Sequence, residues 1–352
     1  MSMFTKITPT NFIVGDGVPL IDAIHMLNTQ EQGQTFLLVV NGRSQLVGTL
    51  TDGDIRRWIV RGKTIHEKVC DVMFSQPIVG TDKHSPIELE KLISKVIGPN
   101  IFLPVINSEK KVIEIIVGSS SLVTKTDALI MAGGYGKRLG IRTQKTPKPL
   151  IEVEGKALLE HVIVKLRESG ANRVFISVHY LAEQICNFVE QKRYSEFVTI
   201  LYEEEPMGTA GSISMLPQSS DTNFLISNCD IITGLNYKNF LDFHFLSKSQ
   251  ATIAVTEHQY QIPFGVVEYS PNGAFLGIKE KPQITNYVAA GLYCLSSNFI
   301  NETKENGYID MPKLLARGKS LKCKMNIFPI HEDWVDVGTP EDLSTFDVLS
   351  RF

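Results

Sequence analysis

The stretch Ala128-Leu129-Ile130-Met131-Ala132-Gly133-Gly134-Tyr135-Gly136-Lys137-Arg138-Leu139-Gly140 joins a short apolar run to a glycine-rich, basic loop. Four apolar residues ahead of glycines read as a buried strand opening into a turn. Glycines let the backbone bend tightly and bring N–H groups close to a phosphate, so Ala132, Gly133, Gly134 and Gly136 are candidates for nucleotide binding. Two familiar phosphate loops are excluded. A Walker A loop has Ser or Thr after its Gly-Lys, and here Arg138 comes after Lys137. A dinucleotide fingerprint has a further glycine three residues after Gly136 and then a helix. Leu139 stands at that position, and Pro147 and Pro149 break any continuous helix downstream of it. An NAD-dependent oxidoreductase is disfavoured with it. The remaining possibility is an extended basic loop with Arg138 at one end and Pro147-Lys148-Pro149 at the other. Attack on the α-phosphorus of a triphosphate needs positive charge on the transferring and leaving phosphates. The planar fork of Arg138 and the ammonium of Lys148, held on a stiff segment, suit that task. A solvated surface loop is the plain alternative.

Outward from this loop the chain alternates strand and helix. Residues 157–170 carry apolar side chains at helical spacing and stop at Gly170; 173–178 read as strand, 181–193 as helix, and 198–202 and 223–230 as strands. This rhythm predicts an α/β fold: a Rossmann-like, mostly parallel sheet with helices on both faces, its ligand crevice along the carboxyl edge. Several motifs fall at that edge. Glu205-Pro206-Met207-Gly208-Thr209-Ala210-Gly211 reads as a strand-to-helix junction where small residues let a flat base lie on backbone. A tight helix start is the plainer reading. Asp230 ends an apolar strand, a natural oxygen donor for a hard cation, or else a helix cap. A second acid, Asp336, lies in Trp334-Val335-Asp336-Val337-Gly338-Thr339-Pro340.

The loop and the Thr146-Pro147-Lys148-Pro149-Leu150-Ile151-Glu152 segment resemble the opening of nucleotidyltransferases acting on sugar 1-phosphates, mannose-1-phosphate guanylyltransferases among them. The likeness covers roughly 127–345. It implies transfer of a nucleoside monophosphate from an NTP, GTP preferred, to a sugar 1-phosphate with release of pyrophosphate. It implies catalytic roles for Arg138 and Lys148, and a nucleobase pocket at Glu205, Gly208, Thr209 and Ala210. Asp230 and Asp336 would form the Mg²⁺ site. Gly265, Glu280 and Lys281, in elements similar to the family's sugar-phosphate grip, complete the set. Ala289 stands where the family usually has asparagine, which bears on which sugar is taken. Uridylyl, thymidylyl or cytidylyl transfer, or transfer to mannose 1-phosphate, are the neighbouring activities. A nucleotide-sugar sensor without turnover is the reading from another class, disfavoured by intact Arg138, Lys148, Asp230 and Asp336.

The first 120 residues have a different pattern. Residues 36–40 and 46–50 flank a turn, as do 101–107 and 112–118, which suggests an internal duplication. Residues 121–126 read as a linker before a catalytic domain spanning 127–352. The duplicated region resembles a tandem CBS module, small and α+β, whose Gly48-Thr49-Leu50-Thr51-Asp52-Gly53-Asp54 element would place Thr51 and Asp54 on the ribose of an adenine nucleotide. The second copy lacks that element. A purely structural or dimerising module is the alternative. The combination resembles bacterial guanylyltransferases that use glucosamine or N-acetylglucosamine 1-phosphate on the way to nonulosonic acids such as legionaminic acid.

Bulk properties narrow the class further. The 352 residues carry a formal net charge of -3, which points to no nucleic-acid or membrane partner. Five scattered cysteines form no CxxC pair, and eight histidines show no metal-ligand spacing. No signal-like leader and no apolar run near membrane length is read, so a cytoplasmic homo-oligomer is expected.

Overall fold

The apolar run at 128–131 lies in an interior strand of a seven-stranded sheet. The computed structural model describes residues 4–30, 34–96, 101–118, 125–136, 139–140, 143–218, 220–339 and 342. The chain divides into two compact units, Met1–Val123 and Thr124–Phe352.

In the second unit the sheet strands are β1 (Thr126–Met131), β2 (Val174–Val178), β3 (Val198–Tyr202), β4 (Asn223–Asn228), β5 (Ala251–Gln261), β6 (Gln283–Ser296) and β7 (Met325–Ile330). Their order is β3-β2-β1-β4-β6-β5-β7, and all run one way except β6, antiparallel to both β4 and β5. The sheet is mostly parallel, as the strand–helix rhythm predicts. The reversed β6 is not legible in that rhythm, because β5 and β6 are long strands whose distal halves carry exposed polar residues. Alternate residues of each strand face opposite layers. Ala128, Ile130, Val174 and Ile176 pack with helices α1 (Leu158–Glu168), α2 (Ala182–Gln191) and α3 (Tyr237–Leu246). Leu129, Phe175, Phe224 and Ile226 pack on the other side with α4 (Ser297–Thr303) and α5 (Met311–Ser320). Covered on both faces, these strands need apolar residues at every position, which is why they read as continuous apolar runs.

Thr126 heads β1, paired with Asn223, so the expected 121–126 linker is corrected: its last residue belongs to the sheet. Residues 119–124 lie outside the described residues. Residues 211–215 form a short 3-10 turn rather than the expected α-helix start.

The first unit holds a three-stranded sheet (Ile13–Gly15, Phe36–Val40, Leu46–Thr51) and a four-stranded one (Phe4–Ile7, Val112–Gly118, Ile101–Ile106, Gly80–Thr81). Several bonds recur at matching places in the two suspected copies. Asp16 N–H donates to Val40 O and Asp82 N–H to Ile106 O. In the two hairpin turns Asn41 and Asn107 each accept two backbone N–H groups on Oδ1, and Ser44 and Lys110 both adopt positive φ.

Candidate active site

Parallel strands that share a direction also share a carboxyl edge, and β1, β3 and β4 end there in the glycine loop, Glu203 and Asp230. The connections run from β1 outward to β2 and β3, then cross to β4 on β1's other side. That reversal opens a crevice beside β1, where open α/β sheets bind ligands.

The glycine loop is fitted to its neighbours at two points. Gly136 has φ +63°, and a Cβ there would stand 2.9 Å from Thr143 Cγ2 and 3.1 Å from Lys148 Cβ. The Thr143 hydroxyl donates to Gly136 O at 3.0 Å and Gly140 O at 3.2 Å, tying Thr143 to both glycines. A Cβ on Gly133 would lie 2.9 Å from both carboxylate oxygens of Glu203. Glu203 is buried and accepts the Met207 N–H at 3.1 Å, so one carboxylate braces the glycine loop and the Met207–Gly211 loop together. Glu205, the acid expected to serve the nucleotide, is exposed. Gly134 has open space around it, and Ala132 is buried at the strand end.

Lys148 lies in a 3-10 turn, Lys148–Leu150, with its side chain 9% exposed, and its ammonium meets Asp230 Oδ2 at 2.5 Å. Asp336 reaches the same place by strand pairing: Trp334–Asp336 runs antiparallel to Ile231–Thr233, with Asp336 opposite Ile231 and Val337 N–H donating to Asp230 O at 2.9 Å. Asp230 Oδ1 is buried and accepts no hydrogen bond among the described residues. Burial, and next the Asp230 carboxylate, push the neighbouring Cys229 thiol far up, with Asp336 adding to the effect, so Cys229 is no nucleophile here. Two carboxylates, one with a buried oxygen still able to accept, are a fitting oxygen donor set for a hard divalent cation.

The strand bearing Ala289 adjoins this cluster. Trp334 Nε1 donates to Ala290 O at 3.0 Å, and Gly291, at φ +73°, is pressed so closely on Asn228 that a Cβ would fall 2.7 Å from its Nδ2. Ala289 itself is exposed. Gly265 and Glu280 are brought to each other at the base of the Val266–Tyr269/Phe275–Lys279 hairpin, where a Gly265 Cβ would stand 3.0 Å from Glu280 Oε2. Lys281 comes next, at φ 45°. Arg138 lies outside the described residues.

In the first unit Thr51 and Asp54 form a capping box: Thr51 Oγ1 accepts the Asp54 N–H at 3.3 Å, and Asp54 Oδ2 accepts the Thr51 N–H at 2.9 Å and its hydroxyl at 2.6 Å. Asp54 Oδ1 pairs with Arg57 at 2.5 Å. The local fold gives both residues work of their own.

Two residues at the crevice escaped the sequence reading. Glu203 is one of three consecutive glutamates, and nothing in its local sequence marks it as the buried one. Asp310 precedes a helix and reads as an ordinary cap, yet it bonds to Thr209, 101 positions earlier.

Residues 127–348 match the nucleotidyl transferase family. The chain is similar to the mannose-1-phosphate guanylyltransferase catalytic subunit beta of Drosophila melanogaster, 31% identical over 65% of this chain and 63% of that protein. The same subunit of Dictyostelium discoideum is 29% identical over 61% and 62% respectively. The chain thus spans just under two thirds of the length of these relatives. Among solved structures, HddC from Yersinia pseudotuberculosis complexed with GMP-PN aligns at 25% identity over 64% of this chain and 99% of that one, with a TM-score of 0.48.

Proposed function

The chain belongs to the nucleotidyl transferase family, and we propose that it moves a guanylyl group from GTP to a sugar 1-phosphate, releasing pyrophosphate. The juxtaposition of Lys148, Asp230 and Asp336 at the switch point carries this reading. A phosphate oxygen of the sugar 1-phosphate attacks the α-phosphorus in line, and the bond to the β,γ-diphosphate breaks. The attacking oxygen is already anionic, so no protein nucleophile or base is needed. Catalysis is then positioning and charge stabilisation. Asp230 and Asp336 would hold Mg²⁺, which supplies charge neutralisation on the phosphates when bound. Lys148, already 2.5 Å from Asp230, is placed to neutralise the transferring phosphate. Arg138 at the loop's far end would serve the leaving phosphates.

The base would lie on the Gly208–Ala210 backbone, beside the glycine loop that Glu203 braces, and the sugar phosphate beside Glu280, Lys281 and Ala289. Glucosamine or N-acetylglucosamine 1-phosphate is the proposed acceptor, for a nonulosonic acid route such as that to legionaminic acid; the guanylyltransferase names of the relatives support GTP as donor. Pyrophosphate release measured across five NTPs and several sugar 1-phosphates tests the reading. GTP should exceed UTP, CTP and dTTP, because unmatched buried polar groups reject the wrong base. Equal rates with UTP and GTP would end the guanylyl assignment, and no release with any pair would end the transferase reading. For the first unit we propose a CBS-type adenine nucleotide site using Thr51 and Asp54.

A further inference from the structure

The Met207–Gly211 loop is closed from behind by an exchanged helix cap. Helix α5 begins at Met311, with Asp310 in the N-cap position. An aspartate there ordinarily turns its carboxylate onto its own helix's first N–H groups. Asp310 makes no such bond. Its Oδ1 accepts the Thr209 N–H at 3.1 Å and the Thr209 hydroxyl at 3.4 Å, and its Oδ2 accepts the Tyr308 hydroxyl at 3.0 Å. The Thr209 oxygen in return accepts the Met311 N–H at 2.8 Å. Each side chain thus satisfies a backbone N–H of the other segment. The main chains are laced together as well, Ala210 N–H to Ile309 O at 2.9 Å and Ile309 N–H to Met207 O at 3.0 Å. The fit leaves no slack. Gly208 adopts φ +77°, and a Cβ there would be 2.8 Å from Ile309 O and 2.9 Å from Asp310 Oδ1; a Cβ on Gly211 would be 2.6 Å from Gly307 O.

We propose that Asp310 is a positioning residue for nucleotide binding: by holding Thr209 it fixes the Gly208–Ala210 backbone on which the base rests. The inference rests on the reading that this loop lines the base pocket. A loop already ordered by the protein loses little freedom when the nucleotide arrives, and affinity depends on that preorganisation. An aspartate turned onto its own helix would give stability alone. This one holds a loop.

The test is calorimetric titration of the full chain with GTP, UTP, CTP, dTTP and ATP, paired with steady-state kinetics. Asp310→Ala should weaken binding of the preferred NTP and raise its KM by about tenfold. The kcat and the KM for sugar 1-phosphate should stay within about twofold of wild type. Asp310→Asn keeps an acceptor oxygen for Thr209 and should recover most of the affinity. Thr209→Val, which removes the hydroxyl, should resemble Asp310→Ala. Unchanged NTP affinity in Asp310→Ala overturns the proposal, and so does Asp310→Asn behaving no better than Asp310→Ala. A uniform loss of every kinetic constant in step with a lowered melting temperature would show a merely structural role and overturn it too. A wild type that binds nucleotide without releasing pyrophosphate breaks the proposed reaction alone, the clasp still being judged by titration. A wild type that binds none of the five breaks both.

Discussion

Asp54 and Asp230 both follow an apolar strand within a few residues, and their carboxylates are used in opposite ways. Asp54 satisfies itself within three residues, closing a capping box on Thr51 and pairing with Arg57. Asp230 binds Lys148 across 82 residues and keeps its second oxygen buried without a hydrogen bond among the described residues. A capping aspartate stabilises the helix it starts. A buried carboxylate that leaves an oxygen unused has no such return from folding, because desolvating a charge is costly unless it is fully partnered. The difference separates a residue kept for the fold from one kept for a ligand.

The sharpest way to break that contrast is to remove the carboxylates of the second unit. Asp230→Ala and Asp336→Ala should abolish Mg²⁺-dependent turnover while the protein stays folded, since neither carboxylate belongs to the sheet's two apolar cores. Circular dichroism checks the fold and pyrophosphate release the activity. Turnover that persists in EDTA, or in both variants at unchanged Mg²⁺ dependence, would place Asp230 in the same class as Asp54.

Lys148 comes next in size. Its loss should cost on the order of 10²–10³ in kcat, as for one lost transition-state donor, and Arg138→Ala should cost as much. A near-normal kcat in Lys148→Ala would make the 2.5 Å contact with Asp230 a structural ion pair.

The glycine loop offers a smaller, steric test. In Gly133→Ala the new methyl would meet both Glu203 oxygens at 2.9 Å, so loop or carboxylate must shift. A KM for the NTP raised about tenfold with a milder change in kcat is expected. An unaltered KM would separate Glu203 from the nucleotide site.

The same contrast explains what was legible in the sequence. The strands β1, β2 and β4 could be read because burial on both faces favours apolar residues along their length, and Gly136 because a loop at φ +63° needs glycine. Thr51 and Asp54 could be read as a pair because their bonds span three residues. The convergence of Lys148, Asp230 and Asp336 was expected from a family resemblance, not from spacing. The strand pairing of Ile231–Thr233 with Trp334–Asp336 that joins them has no local signal. Glu203 and Asp310 were missed for that reason: each acquires its partner only once the sheet has assembled. Long-range satisfaction of a polar group is invisible to periodicity, and the candidate site is built from it.

The smallest expected effect lies in the first unit. Asp54→Ala removes a capping box, and losing such a cap costs about 1 kcal/mol; the full chain should show a modest drop in melting temperature, with kcat for nucleotidyl transfer unchanged. The adenine-nucleotide proposal adds a second requirement. To serve a ribose, Asp54 must offer oxygen lone pairs beyond those taken by the Thr51 N–H and hydroxyl and by Arg57. A carboxylate has about four such positions, so cap and ribose contact are compatible in number. AMP or ATP at about 100 times its Kd should then stabilise the wild-type chain by roughly 2.7 kcal/mol, and Asp54→Ala should erase that shift. A wild type whose melting point no adenine nucleotide moves at millimolar concentration would leave the capping box as the whole role of Thr51 and Asp54, and would mark the duplicated unit as a structural or dimerising element. A shift that survives in Asp54→Ala would instead keep the nucleotide and remove Asp54 from its site. Either result sharpens the contrast with Asp230, whose unused oxygen no local cap accounts for.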